Sequence, residues 1–416
     1  MTLWIIEPRD PLIARDGRPF GPDPGARAET LSFPTPSMVV GSLRHKAGLT
    51  ATGRFCRASI ERVKSLTLRG PLLVELGHDG QIKQFLFPAP ADAVVFDYKS
   101  DENKSDQSTS CQAGAAPSQR DTNDDKNQPD HTKDEDKQKL ELRWAQPVEL
   151  AAFTNLPDDL TPVAIDKVGK PSQYAPQFWH EATFYQWLLN PLSLRTIAAA
   201  ELGIGSLPRS IRTHVSIATQ TQTAREGALF QTAGLEFAQR DNTGSLSHIR
   251  HFALAAAFED EHGQPYTPPH FAGGLAPLGG ERRIARWSQV AKTLPEPPAE
   301  LVTIIKENRC ARVILLSPAA FADGYRPPIA WSRGNATAKL QAAVVPRAQV
   351  ISGWDLAENK PKPTRRLAPA GSVYFVSWEK GEDAVSWLHA TWMRNVSDEA
   401  QDCRDGFGLA VVGVWK

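Results

Sequence analysis

The sequence is poor in cysteine and contains no long hydrophobic run. Its four cysteines, at positions 56, 111, 310 and 403, are too far apart for a zinc-ligand spacing and exclude a disulfide framework. We expect reduced thiols that pack as small apolar residues. No apolar stretch approaches the roughly 20 residues that cross a bilayer, and the opening residues lack the apolar core of a secretory signal. We therefore predict a cytoplasmic protein without membrane association.

Motifs for nucleotide hydrolysis and metal catalysis are also missing. The sequence has no P-loop, no HExxH, no GxSxG and no kinase motif set. Its ten histidines and scattered carboxylates form no recognisable ligand spacing. We predict no metal, no cofactor and no catalytic residue.

One segment, residues 97–141, differs from the rest in composition. It is rich in Asp, Lys, Asn, Gln and Ser, and it cannot bury enough apolar surface to offset its ordering entropy. We predict a disordered insertion here. It contains 12 acidic and 7 basic residues, so the remaining chain is mildly basic although the formal net charge is zero. Phosphate binding depends on such local charge rather than on the average.

The remaining chain alternates short β-rich runs with a few helical ones. Thr35 and Pro36 offer an N-cap and a first helical proline for a helix to about Lys46. Further helices are predicted at Trp179–Leu188 and Asp383–Met393, and strands include Leu3–Glu7 and Val63–Leu68. We predict an α+β fold of two ferredoxin-like (RRM-like) domains with β-rich insertions. The N-terminal domain takes residues 1–96 and 142–202, and the C-terminal domain takes residues 203–416.

The first loop and the helix after it carry candidate RNA contacts. Arg15 and Arg18 stand among turn residues, and an arginine fork suits phosphate oxygens. Ser37 and Arg44 project from the predicted helix, away from its apolar face. Local ion pairs with neighbouring aspartates and a solvated helix arginine are the alternatives.

A basic approach leads into a predicted strand and a returning strand. It holds Arg209, Arg212 and His214, and such a hairpin could lie beside a nucleic-acid chain, with His214 stacking on a base. A structural role for His214 is the alternative.

Three further groups complete the candidate RNA contacts. Arg282 and Arg283 follow a glycine turn, and a loop-to-strand junction carries Lys360, Lys362, Arg365 and Arg366 without one acid. Near the C-terminus, Gly406 and Gly408 could admit a phosphate backbone against peptide N–H groups. Solvated charges and a bulged terminal strand are the alternatives.

Together these segments resemble the third-subunit family of the Cmr complex, the type III-B CRISPR effector, within the RAMP superfamily. The resemblance extends over the whole chain apart from the insertion. It is carried by Glu7–Leu12, Arg18–Phe20, Phe33–Ser37, Gly41–Arg44, Arg212–Val215, Glu226–Phe230, Gly280–Arg283, Ser352–Leu356 and Pro369–Phe375. The short glycine stretch around Gly406 departs from the longer glycine loop of many superfamily members.

The resemblance implies a non-catalytic RNA-binding subunit. It would bind the 5′ repeat-derived tag of the guide RNA (crRNA), dock on the large polymerase-like subunit and neighbour the backbone subunits, in antiviral defence. An alternative is a metal-independent endoribonuclease that processes repeat RNA, with His45 and His214 as acid–base candidates. A scaffold that touches no RNA is a third possibility.

Overall fold

The computed structural model describes residues 3–15, 27–98, 138–149, 156–157, 159–240, 249–355 and 360–415. Arg18 and residues 99–137 of the predicted insertion lie outside the described residues. Within the described ranges, no helix combines the length and the apolar character that a membrane span requires.

Up to residue 290 the described residues form four α-helices and seventeen strands. The helices are α1 (Pro36–Ala47), α2 (Ile60–Ser65), α3 (Glu181–Leu189) and α4 (Ala199–Leu202). The strands are β1 (Leu3–Pro8), β2 (Arg27–Ala28), β3 (Thr67–Leu76), β4 (Ile82–Pro88), β5 (Ala93–Asp97), β6 (Lys139–Trp144), β7 (Gln146–Pro147), β8 (Val163–Ala164), β9 (Phe178–His180), β10 (Thr196–Ala198), β11 (Gly203–Ile204), β12 (Arg209–Ile217), β13 (Ala224–Leu235), β14 (Ala238–Arg240), β15 (Ile249–Glu259), β16 (Gly274–Pro277) and β17 (Ile284–Val290).

The rest of the described chain adds three helices and eight strands. The helices are α5 (Ala299–Asn308), α6 (Gly381–Thr391) and α7 (Ala400–Arg404). The strands are β18 (Cys310–Leu315), β19 (Ala330–Arg333), β20 (Ala336–Val344), β21 (Gln349–Asp355), β22 (Lys360–Leu367), β23 (Val373–Ser377), β24 (Arg394–Asn395) and β25 (Leu409–Val414).

The larger sheet has the order β11-β9-β4-β3-β15-β1-β17-β16, with β14 also pairing β15. Its central strands β17, β1, β15 and β3 pair antiparallel. This is the strand order of a β-α-β-β-α-β unit, in which the first strand lies between the fourth and the third. Helix α1 joins β1 to β3, whereas the described connection from β15 to β17 contains no α-helix.

The smaller sheet has the order β19-β20-β23-β18-β25-β24. Its central strands β25, β18, β23 and β20 repeat the same antiparallel order. Here α6 joins β23 to β25, and the connection from β18 to β20 carries β19 instead of a helix. The expected mixed, strand-rich architecture is confirmed. The ferredoxin-like assignment of the two halves stays a prediction, because each sheet has only one of the two crossover helices of that unit.

The predicted domain boundaries also stay a prediction. The larger sheet takes strands from both sides of the expected division at residue 203, since β15 and β17 pair with β1.

The larger sheet is buried on both faces, and its strands β1, β3 and β15 each contain a continuous apolar run, as strands covered on both sides do. On one face, Trp4 and Ile6 pack with Leu43 of α1. On the other face, Leu3 and Ile5 belong to the core that the sheet shares with the smaller sheet and with α3, α5 and α6. A continuous apolar core therefore joins the two sheets.

A buried ion pair crosses this shared core. Arg312 of β18 and Asp92, in the β4–β5 connection, form a salt bridge, and both side chains are fully buried. The Nε atom of Arg312 donates to the Val414 carbonyl at 2.7 Å, and Nη2 donates to the Trp187 carbonyl at 2.7 Å. The indole N–H groups of Trp144 and Trp187 donate to Asp92 at 3.1 and 3.2 Å. The pair is thus fully hydrogen-bonded, as a buried pair must be to offset its desolvation.

Candidate nucleic-acid interface

The hairpin of β12 and β13 carries three of the predicted RNA contacts. Arg212 lies opposite Thr232, and His214 lies opposite Phe230. The imidazole of His214 stacks on the Phe230 ring, with centroids 5.1 Å apart and planes 16° apart. Its Nε2 atom lies 3.0 Å from the Thr232 hydroxyl. The histidine is therefore fixed in orientation, whereas the neighbouring Arg212 is exposed.

The opposite face of this hairpin is apolar. Side chains alternate between the faces of a strand, so Ile211, Val215 and Leu229 share one face. They are 65%, 39% and 57% exposed. Large apolar groups left in solvent along one face are typical of an interaction surface.

The segment Pro11–Arg15 joins the base of the hairpin to the first loop. Leu12 and Leu235 exchange two backbone hydrogen bonds of 2.8 Å. Arg15, an exposed residue, pairs with Thr30 in an isolated bridge, and β2 pairs with β13. Arg209 approaches Glu29 to 3.6 Å. Because strand side chains alternate, Arg209 lies on the face of Ile211, opposite that of Arg212.

The glycine turn before Arg282 packs on the other side of this segment. The Gly280 N–H donates to the Ile13 carbonyl at 2.8 Å. Gly279 has φ +75°, and a Cβ there would lie 2.8 Å from the same carbonyl oxygen, so the turn requires glycine. Arg282 is exposed, and Arg283 pairs with Glu281 at 2.8 Å.

Three hydrogen-bonded segments therefore bring five of the predicted residues into one neighbourhood. We call this set the basic surface: Arg15, Arg212, His214, Arg282 and Arg283.

Arg44 lies apart from the basic surface, and its guanidinium is hydrogen-bonded to other groups of this chain. Its Nη1 atom donates to Asp405 at 2.5 Å, and Nη2 donates to the Leu66 carbonyl at 2.8 Å. Its side chain is only 13% exposed. Gly406 and Gly408 are buried beside it, with φ +92° and +85°. A Cβ on Gly406 would lie 2.8 Å from the Leu68 side chain, so these glycines meet packing requirements.

The hairpin of β21 and β22 carries the four cations that the sequence places at a loop-to-strand junction. They lie within β22 itself. Arg365 makes two hydrogen bonds with the Asp402 carboxylate of α7, at 2.7 and 2.6 Å, and these bonds raise the pKa of Arg365. Lys360, Lys362 and Arg366 are exposed. They form a second basic strip.

A cleft of about 320 Å³ opens beside the start of β21. Its walls come from residues 32–36, 176–178, 316–318 and 369–370, and Gln349 at the start of β21 completes it. Ser37 follows this wall at the start of α1, where its hydroxyl lies 3.1 Å from that of Thr35. Apolar and proline side chains dominate the lining, which suits the flat face of a nucleobase.

Sequence reasoning missed a further basic group. Arg54 and Arg57 flank the exposed ring of Phe55 in the loop between α1 and α2. The density of cations from Arg44 to Lys64, six against one acid, is the signal that could have revealed it. His45 stacks on Phe55, and burial, with Lys46 and Arg282 nearby, lowers the pKa of His45.

Within the described ranges, no three His, Cys, Asp or Glu side chains are grouped to hold a metal.

Comparison with known families gives the class of the protein. A family model of CRISPR-associated proteins matches residues 4–415, almost the whole chain. The chain is therefore a CRISPR-associated protein. It belongs to the Cas_Cmr3 family, which confirms the resemblance to Cmr subunits of type III effectors.

Solved structures of low sequence identity also match. Two cryo-EM structures of the Type III-B Cmr-beta complex bound to cognate target RNA, one also with AMPPnP, contain a chain that is 14% identical. Each alignment covers 90% of this chain and 86% of the other, with TM-scores of 0.45 and, with AMPPnP, 0.43. A chain of the Csm3–Csm4 subcomplex of the type III-A complex is 10% identical, with 91% and 94% covered and a TM-score of 0.33. No curated protein matches the chain.

Proposed function

We propose that this Cmr-family subunit binds the 5′ repeat-derived tag of the crRNA without cleaving it. The observation that carries the proposal is the convergence of Arg15, Arg212 and Arg282 on hydrogen-bonded neighbouring segments. Docking on the large polymerase-like subunit and contact with the backbone subunits complete the proposal. The family membership supports these partners.

The geometry supports separate contacts to phosphates and to a base. Exposed arginines of the basic surface can take phosphate oxygens through their forks. The stacked pair of His214 and Phe230 offers an aromatic edge beside them. The apolar cleft beside the start of β21 has room for one splayed base. Phosphate contacts position an RNA chain, and base contacts read it.

The apolar face of the β12–β13 hairpin supports a protein contact. Ile211 and Leu229 point away from the cationic face, since strand side chains alternate. A partner subunit that covers them would remove from water the most exposed apolar side chains of the hairpin.

A non-catalytic role is part of the proposal. Metal-independent cleavage of RNA needs acid and base groups within reach of one phosphate. His45 lies on α1 against Phe55, and His214 lies on β12 against Phe230. Incubation of the purified chain with labelled repeat RNA tests this point. If the wild type cleaves this RNA at a specific site and neither His45→Ala nor His214→Ala does so, the endoribonuclease alternative replaces the proposal.

Affinity for tag-containing RNA, measured with the large subunit present, tests the binding surface. We expect Arg212→Ala and Arg282→Ala each to weaken binding and to reduce the salt slope by about one, as loss of one phosphate contact does. Lys170→Ala, in an exposed loop outside the basic surface, serves as the control and should change neither value. Unaltered affinity in both arginine variants would contradict the assignment.

A further inference from the structure

A further basic group, in addition to the basic surface and the strip on β22, lies in the loop that joins α1 to α2. Residues 44–64 contain six cations and one carboxylate, in a chain of zero formal charge. Arg62 donates to the Ala47 carbonyl at 3.1 Å, and Lys64 approaches Glu61 to 3.3 Å. Arg54 and Arg57 are exposed, and neither side chain has an ion-pair or hydrogen-bond partner among the described residues.

The loop that presents these two arginines is held in one conformation. Leu49 and Phe55 form an isolated bridge. The Thr50 N–H donates to the Arg54 carbonyl at 2.8 Å, and the Cys56 N–H donates to the Gly48 carbonyl at 2.9 Å. A surface fixed in this way loses little conformational entropy when it binds a partner.

Phe55 forms an aromatic platform between the arginines. Its ring stacks on the imidazole of His45, with centroids 5.6 Å apart and planes 6° apart. The ring also lies against Gly48, where any side chain would overlap it. Phe55 is nevertheless 38% exposed, so its ring is supported from within the protein and open to solvent.

We propose that Arg54, Phe55 and Arg57 form a second RNA-binding surface for single-stranded RNA outside the 5′ tag. Phe55 stacks on a base, and the two arginines bind the adjoining phosphates. An exposed ring between cations is the arrangement with which proteins bind single strands, since every base has a face to stack and every nucleotide a phosphate. An acidic protein partner would use the cations but would leave the ring without a matching group. The RNA is either another part of the crRNA or the target strand.

Alkylation of Cys56 can report whether RNA covers this surface without any substitution, because the thiol is free and exposed. Its alkylation rate is followed on its own peptide by mass spectrometry, in the subunit assembly without RNA, with crRNA, and with crRNA plus target RNA. Protection that begins with crRNA assigns the surface to the guide, and protection that begins with target assigns it to the target strand. Protection already complete without RNA, or none in any sample, overturns the proposal.

Substitutions separate stacking from charge. Phe55→Ala should weaken binding of the RNA identified by Cys56 protection roughly tenfold, which is within the usual range for loss of one base stack, and Phe55→Tyr should restore it. Arg54→Gln combined with Arg57→Gln should weaken binding and reduce its salt slope. Leu192→Ala and Lys170→Gln are matched exposed controls and should have no effect. Equal affinity in Phe55→Ala and Phe55→Tyr contradicts the platform.

The proposal for this surface and the proposal for the tag site can be tested independently of each other. Loss of tag binding in Arg212→Ala, with unchanged RNA binding in every variant of the Arg54–Arg57 loop, would leave the proposed function standing and remove the second surface.

Discussion

Glu75 shows how a single buried carboxylate is stabilised in this molecule. Its side chain is 5% exposed at the end of β3. Lys83 donates to it at 2.9 Å, Gln84 at 2.8 Å and Arg250 at 2.7 Å. Burial alone would raise the pKa of Glu75, but the hydrogen bonds from Arg250, Lys83 and Gln84 together outweigh burial and lower it to about 2.

This low pKa predicts a component of acid sensitivity that depends on Glu75. A folded-state pKa below the ordinary value of 4.5 adds stability that is present above that pH and lost as the pH falls toward about 2. Glu75→Gln should therefore lower the free energy of unfolding near neutral pH and flatten its decline in acid. Urea unfolding at about pH 6 and about pH 3 measures both effects. Glu379→Gln, at an exposed carboxylate, is the control, and an equal decline in Glu75→Gln and the wild type would contradict this assignment.

Single residues also show where sequence reasoning stops. The sequence shows that Arg44 and Arg365 are cations in segments that could bind RNA. It does not reveal that Asp405, 361 positions away, accepts from Arg44, or that Asp402 accepts from Arg365. Such partners are set by tertiary packing. For the same reason a glycine that the fold requires, such as Gly406, looks in the sequence like one that admits a ligand.

At the scale of elements, the β12–β13 hairpin stands out because its distal half adds little to the core. Ile217 and Leu229 are more than half exposed. Its base is tied to Leu12 and β2, whereas among the described residues the distal part makes cross-strand hydrogen bonds only within the hairpin.

Shortening this hairpin should separate folding from assembly. Replacing residues 215–229 with Asn-Gly keeps His214 opposite Phe230 and closes a two-residue turn. We expect an unchanged thermal midpoint, because the removed apolar side chains are mostly exposed, and reduced co-elution with the large and backbone subunits. Size-exclusion chromatography of the mixed subunits measures this loss. Normal assembly of the shortened chain would show that the distal part of the apolar face, beyond Ile211, has no docking role.

Elements with strong local signals were predictable. Thr35 and Pro36 start α1 where expected, and the helices predicted at Trp179–Leu188 and Asp383–Met393 correspond to α3 and α6. The predicted strand at Val63–Leu68 was wrong over its first half, because Val63 lies on the buried side of α2. A short helix with one buried residue has an apolar pattern too brief to distinguish it from a strand.

At the scale of the whole molecule, the Arg312–Asp92 pair links the smaller sheet to the β4–β5 connection of the first half. We expect Arg312→Met to cost about 3–5 kcal/mol of unfolding free energy, because it leaves a buried carboxylate without its countercharge. The double variant with Asp92→Asn should recover part of this loss. Urea unfolding measures it, with Lys306→Met of an exposed pair as the control. A single variant as stable as the control would contradict a linking role.

The arrangement of the whole molecule was the least predictable level. The strand order of each sheet depends on pairings such as that of β1 with β15, which joins residues far apart in the chain. Local periodicity predicts that strands exist, but it does not say which of them are neighbours. The candidate RNA contacts were predicted as separate segments, and tertiary structure decides which of them meet.

Photo-crosslinking can show whether the basic surface holds the RNA 5′ end. An assembled complex would carry crRNA with 4-thiouridine at uridines of the tag, and crosslinked peptides would be identified by mass spectrometry. We expect crosslinks to Arg209–Ile217 and Gly279–Arg283 of this chain. Crosslinks confined to other subunits, or to surfaces such as the loop of Lys170, would contradict it.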